Sequence, residues 1–197
     1  MEDSRLSLVF ATNNPHKLKE VQHALGDRFT LVTLNAVDIS DDIPEDYNTL
    51  QDNALQKVRY VYSKTGQSCF ADDTGLEVEA LNWEPGVYSA RYAGDSKNPK
   101  GNILKLLGKL KGVENRRARF RTVIALILNG EEFLFEGVVW GKIIDQERGD
   151  DGFGYDPIFV PDGFTETFAE MPLSLKNQIS HRGKAVEELC KFLKSRF

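Results

Sequence analysis

The order in which short apolar runs and capped amphipathic segments alternate over the first 75 residues most restricts what this chain can fold into. Residues 6–11 are an apolar run suited to a buried strand, and Thr12-Asn13-Asn14-Pro15 breaks it at once. Asn14 can cap a helix with Pro15 in its first position, and Leu18, Val21, Ala24 and Leu25 then share one helical face. Residues 29–34 read as a second strand. Thr49-Leu50-Gln51-Asp52 resembles a capping box with Asp in place of Glu. It opens a helix that turns Ala54, Leu55, Val58, Val61 and Tyr62 inward and stops at Gly66. Residues 68–71 return as a third strand. This β-α-β-α-β order predicts an α/β sheet whose functional groups collect where strands hand over to loops.

Further along, Asn98-Pro99 opens another helix through Ile103, Leu106, Leu107 and Leu110. Residues 119–128, β-branched at their centre, and residues 131–144 flank Asn129-Gly130, the strongest short-range hairpin signal. The predicted sheet is therefore mixed. A last helix starts near Ser180 and places Val186, Leu189, Cys190 and Leu193 on one face. No repeat or linker interrupts the pattern, so residues 1–197 read as one domain, long enough to bury a core without disulfides. Cys69 and Cys190 show no metal-binding spacing and read as small buried apolar residues. Met1-Glu2-Asp3-Ser4-Arg5 has no leader character, and no run approaches the roughly 18 apolar residues of a membrane span, so a cytoplasmic location is expected. A formal net charge of −5 argues against nucleic acid or an anionic membrane as partner, while leaving room for a local phosphate site.

Four segments carry the chemistry. In Ala71-Asp72-Asp73-Thr74-Gly75-Leu76 two adjacent carboxylates read as a turn at a strand end, with Gly75 supplying positive φ. Such a pair is most often a solvated loop, but a divalent metal or a water that must lose a proton has a use for it. Thr12-Asn13-Asn14-Pro15-His16-Lys17 offers backbone N–H groups, the positive end of a helix and a lysine one turn in, which can hold a polyphosphate. It lacks the glycine spacing of a Walker A loop, and a well-capped surface helix is its bland alternative. Gly152-Phe153-Gly154-Tyr155-Asp156-Pro157 combines aromatics able to stack on a base with a carboxylate able to accept from ring N–H groups. In Ser180-His181-Arg182-Gly183-Lys184, preceded by Lys176, basic residues stand at a helix start, where they oppose the helix dipole and so suit a bound anion or a base acceptor.

Taken together these segments, with Glu45, Asn53-Ala54, the run Pro85-Gly86-Val87-Tyr88-Ser89-Ala90-Arg91-Tyr92 and the extension Ile158-Phe159, resemble the inosine triphosphate pyrophosphatase family, the dITP/XTP pyrophosphatases of its bacterial branch. The resemblance runs from about Val9 to about Leu193. It implies a central elongated mixed β-sheet flanked by helices, two lobes around an active-site cleft, and a homodimer. It implies Mg²⁺-dependent hydrolysis of ITP, dITP and XTP to the monophosphate and pyrophosphate. Asp73 would then be the general base and, with Glu45, a ligand of Mg²⁺. Thr12, Asn13, Asn14, Pro15, His16 and Lys17 would hold the phosphates, with Thr74 and Lys176 as further contacts. Phe153, Gly154, Tyr155, Asp156, His181 and Arg182 would enclose the purine. A Maf-type pyrophosphatase is the nearest alternative, against which residues 153–156 with His181 and Arg182 tell; a non-catalytic nucleotide sensor is another, against which Asp73 and Glu45 tell.

Overall fold

The computed structural model describes residues 6–25 and 29–196; Met1 to Arg5, whose character was read from sequence, lie outside the described residues. Among the described residues six strands form one sheet in the order β2-β1-β3-β4-β5-β6. They are β1 (Leu6–Phe10), β2 (Phe29–Val32), β3 (Cys69–Val78), β4 (Arg117–Leu128), β5 (Glu131–Ile143) and β6 (Phe159–Pro161). The helices are α1 (Pro15–Leu25), α2 (Leu50–Thr65), α3 (Pro99–Lys109), α4 (Leu173–Ile179) and α5 (His181–Arg196). β1 runs parallel to both β2 and β3, whereas β5 and β6 are antiparallel, so the sheet is mixed as the sequence predicts. Among the described residues no helix is long and apolar enough to cross a membrane.

Local signals place the elements. Thr49 Oγ1 accepts from the Asp52 amide at 3.0 Å, and Gly66 closes α2 in the left-handed region at φ 64°. Asn98 caps α3 through the Gly101 amide, with Pro99 next in line. Asn129 and Gly130 both take positive φ, as a two-residue hairpin that matches strand twist requires. β6, at three residues, and α4, which follows Pro172 with no side-chain cap, give too little periodicity to be read from sequence.

The chain divides into two compact units. The first comprises residues 1–73, 122–137 and 182–197, and the second residues 74–121 and 138–181. The core of the first packs Leu8, Phe10 and Phe70 of the parallel strands with Val21 and Leu25 of α1 and Val186, Leu189 and Leu193 of α5. Phe10 and Phe70 stack at 4.5 Å across β1 and β3. The core of the second gathers Leu76, Val78, Phe120, Ile143, Phe159 and Phe168 around Ile103 and Leu106 of α3. Cys69 is buried, but Cys190, at the margin of the α5 stripe, is only partly so.

The acidic pair corrects one expectation. Asp72 and Asp73 lie inside the ten-residue β3, not in a turn at its end. Gly75 is absent from the positive-φ residues. A Cβ built there would stand 2.6 Å from the Gly86 carbonyl oxygen, so glycine is required by close backbone approach.

Candidate active site

In the first unit the chain passes from β1 by α1 to β2 on one side, then by α2 to β3 on the other. Such a reversal leaves a crevice at the carboxyl ends of the central strands, the usual ligand position in open α/β sheets. The loop after β1 and the acidic pair on β3 are therefore neighbours, and Lys17 of α1 donates to Asp72 Oδ1 at 3.0 Å.

The two aspartates are treated in opposite ways. The Asp72 side chain is fully buried, with Lys17 on one oxygen and Arg182 Nε on the other at 3.1 Å. Burial alone would push this carboxyl up, yet Lys17, Arg182 and Lys57 together hold it well below the usual carboxylate range. Arg182 is itself buried and spends a second nitrogen on the buried Glu20. Arg182, at the start of α5, where the sequence suits a bound anion or a base acceptor, is thus neutralised by two carboxylates of the protein. Asp73 faces a different field. Lys57 of α2 reaches its Oδ1 at 3.4 Å, but Oδ2 is buried with no protein hydrogen-bond partner. Burial pushes the Asp73 carboxyl up, Lys57 and Lys17 oppose this, and Glu45 and Asp72 add like charge. Adjacent acids driven apart in this way are set up for separate roles.

Lys57 also donates to Glu45 Oε1 at 2.6 Å, so one ammonium joins the two carboxylates expected to bind metal. Burial disfavours its charge, but Asp73, Glu45 and Asp72 prevail and raise its pKa. The loop that carries Glu45 is tied to α2 by Asn53 Oδ1 accepting from the Tyr47 amide and by Gln56 on Asp46. Among the described residues no group of three or more His, Cys, Asp and Glu side chains is placed to hold a metal ion. Mg²⁺ usually asks for less, one or two carboxylates with waters and substrate phosphates completing its shell. Glu45 and the open buried oxygen of Asp73 are hard donors that fit it.

The loop after β1 is already internally bonded. Asn14 Oδ1 accepts from the His16 and Lys17 amides, and the Asn14 amide donates to Thr12 Oγ1. A polyphosphate arriving here would compete with that cap for those N–H groups, which leaves the Lys17 ammonium as the main cationic contribution. Burial lowers the Lys17 pKa, only partly countered by Asp72.

In the second unit, Asp156 Oδ2 accepts from the Phe153 amide at 2.8 Å and from the buried Lys176 ammonium at 2.7 Å. The ammonium lies over the Phe153 and Phe168 rings. Gly152 has φ 76°, and a Cβ there would stand 2.2 Å from the Asp156 carboxylate, so this turn admits no side chain. Tyr155 is buried rather than offered as a stacking face, and its hydroxyl donates to the Ser89 carbonyl. His181 stacks on Phe120 at 4.6 Å. Thr74 is half-buried beside Asp73 on β3.

Lys57 and Glu20 escaped the sequence reading because helical periodicity was scored on apolar positions. The available signal was a charged residue on the inward stripe of an amphipathic helix, Lys57 beside Val58 and Glu20 beside Val21.

A mixed α/β sheet that sets adjacent carboxylates among buried cations holds groups that water-mediated cleavage of an anionic substrate can use. The chain belongs to the Ham1 family, whose model matches residues 8–192. It is 51% identical over 188 residues to a dITP/XTP pyrophosphatase of Flavobacterium johnsoniae, covering 95% of this chain and 98% of that one. It is 54% identical over 187 residues to a dITP/XTP pyrophosphatase of Porphyromonas gingivalis, covering 94% and 96%. The Staphylococcus aureus Ham1 protein has a similar structure, with a TM-score of 0.88 at 38% identity over 97% of this chain and 100% of that one. A HAM1 protein from Coxiella burnetii gives 0.88 at 39% identity, over 96% and 99%.

Proposed function

We propose that this protein hydrolyses the non-standard purine nucleoside triphosphates ITP, dITP and XTP at the α–β phosphoanhydride, releasing the monophosphate and pyrophosphate and keeping these bases out of DNA and RNA. The observation that carries this reading is the division of labour in the acidic pair. Asp72 is locked as an anion by Lys17 and Arg182, while Asp73 keeps a buried oxygen open.

Asp73 takes the proton of the attacking water, and pyrophosphate leaves with the electrons of the broken P–O bond; no covalent intermediate is needed. Glu45 and Asp73 would hold Mg²⁺, which when bound neutralises the triphosphate. Lys57 fixes both carboxylates, and Lys17 with residues 12–16 takes the phosphates. Thr74 contacts the substrate beside the base. Phe153, Gly154, Asp156 and His181 receive the purine, with Tyr155 bracing their turn from its buried side, and Lys176 adds a further cationic contact. Arg182 would also meet the 6-keto oxygen that hypoxanthine and xanthine carry and adenine lacks. A donor left facing adenine's amino group costs about 1–3 kcal/mol, roughly 5- to 150-fold in selectivity. Acting as one domain in a cytoplasmic homodimer completes this reading; the net charge of −5 supports a small-molecule rather than a nucleic-acid or membrane partner.

The test is turnover of the purified chain on ITP, XTP, GTP and ATP with and without Mg²⁺, with pyrophosphate and orthophosphate quantified separately. Pyrophosphate from ITP and XTP alone, and only with Mg²⁺, is the expected result. Orthophosphate release, or equal turnover of ATP, would overturn it.

A further inference from the structure

The run from Pro85 to Tyr92 has no task in the chemistry above, yet its polar atoms are used with unusual thoroughness. It folds into a 3-10 helix, Gly86–Arg91, laid against the later half of β3. Glu77 bridges to Pro85, and the Val78 amide donates to the Glu84 carbonyl at 3.1 Å. Ser89, 8% exposed, sits at the centre. Its Oγ accepts from the Leu76 amide at 2.9 Å and donates to the Gly86 carbonyl at 2.6 Å. Its carbonyl oxygen accepts from the Tyr155 hydroxyl at 2.9 Å and from Asn102 Nδ2 at 3.3 Å. Asn102 of α3, 4% exposed, also donates to the Ala90 carbonyl at 3.0 Å and accepts from the Ala93 amide at 2.7 Å.

This is more than local satisfaction of buried groups. Leu76 stands three residues beyond Asp73 on the same strand, and Tyr155 directly precedes the Asp156 that fixes the Phe153 turn. One serine therefore bonds through its side chain to the catalytic strand and through its carbonyl to the turn assigned to the purine. Phenylalanine would fill the Tyr155 position equally well for packing alone, because the ring is buried. The hydroxyl is what reaches the hub.

Resting on the function proposed above, we infer that Ser89, braced by Asn102 and engaged by the Tyr155 hydroxyl, is a positioning residue for base recognition. It sets where residues 153–156 stand relative to Leu76 on the later half of β3, so its loss changes substrate affinity and selectivity more than the rate of the chemical step.

Two variants test this. Tyr155→Phe deletes only the hydroxyl, and Asn102→Asp keeps the acceptor for Ala93 while removing both Nδ2 donations. Steady-state pyrophosphate release on ITP and ATP is measured alongside calorimetric ITP affinity and the melting temperature. The expected result for either variant is a rise in KM and Kd for ITP of about fivefold or more, the order of one lost hydrogen bond. The fall in kcat should be smaller, and the ITP-over-ATP ratio of kcat/KM should drop with the affinity. A purely structural role would lower the melting temperature and leave KM, Kd and the ratio of the folded protein unchanged; that outcome in Tyr155→Phe overturns the inference. Wild-type binding of ITP without turnover overturns the proposed reaction while Kd still reads the hub. Failure of the wild type to bind ITP overturns both.

Discussion

Replacing Arg182 with methionine tests whether its first duty is to the protein. The side chain is 2% exposed and its guanidinium serves Asp72 and Glu20, whose side chains are 0% and 4% exposed. Breaking a buried ion pair by removing one partner costs about 3–5 kcal/mol, because the surviving charges lose their compensation without regaining water. With an unfolding entropy of ~2.1 cal/mol/K per residue, a chain of 197 residues loses about 7–12 °C in Tm for that cost. The double variant Glu20→Gln/Arg182→Met removes a charge from each side and should recover at least half the loss, since the members of one network do not add independently. Thermal and urea unfolding followed by circular dichroism and by fluorescence provide the assay, coincident transitions licensing a single midpoint. The gap should also depend on pH. Asp72 has a depressed pKa in the folded protein, so its stabilisation is complete above the unfolded value of about 3.9 and is lost as pH falls from there toward the folded value. The difference between wild type and variant should be level from about pH 5 to 8 and narrow below about pH 4. A Tm loss under about 3 °C at neutral pH, or a double variant no better than the single, would refute the reasoning and return Arg182 to substrate binding alone.

Further outcomes follow from the same geometry. Asp73→Asn should lower turnover on ITP by about 10²-fold or more if the proposed base is lost, while Asp72→Asn should lower Tm, because Lys17 loses its anion and Arg182 one of its two; paired kinetics and melting curves separate the two. Gly75→Ala sets a Cβ 2.6 Å from the Gly86 carbonyl oxygen with backbone on both sides, and should cost about 1–3 kcal/mol in urea unfolding. Burial pushes the Cys69 thiol up to about 12, so titration of the native protein with a thiol reagent at pH 8 should count Cys190 and reach Cys69 only after unfolding.

The legible parts of this fold were those specified within a few residues. The Thr49 box, the Asn14 and Asn98 caps, Gly66 and the Asn129-Gly130 hairpin each solve a local backbone problem with local side chains, and each stands where it was expected. The acidic pair misled because Asp-Asp-Thr-Gly has turn composition, whereas its strand conformation is sustained by Lys17, Lys57 and Arg182 from distant parts of the chain. Gly75 misled for a related reason: a glycine needed for backbone clearance looks the same in sequence as one needed for positive φ. Polar side chains buried by one another, such as Lys57 with Asp73 and Arg182 with Glu20, disappear in a reading built on apolar periodicity. The residue types at the acidic pair were visible, but which aspartate is anchored and which is open depends on partners that only the fold brings together.

The open oxygen of Asp73 also sets a conflict between durability and use. A buried carboxylate oxygen without a partner costs on the order of 1–3 kcal/mol, a burden the folded chain carries whenever neither water nor a ligand engages it. A substitution that relieves it while leaving Glu45 to compensate Lys57, such as an amide able to find a neighbouring carbonyl, regains that cost by giving up the proposed base. Laboratory selection on heat resistance alone should therefore accumulate changes at position 73 and yield robust, silent proteins, whereas selection that also demands turnover holds the position fixed and must seek its stability elsewhere.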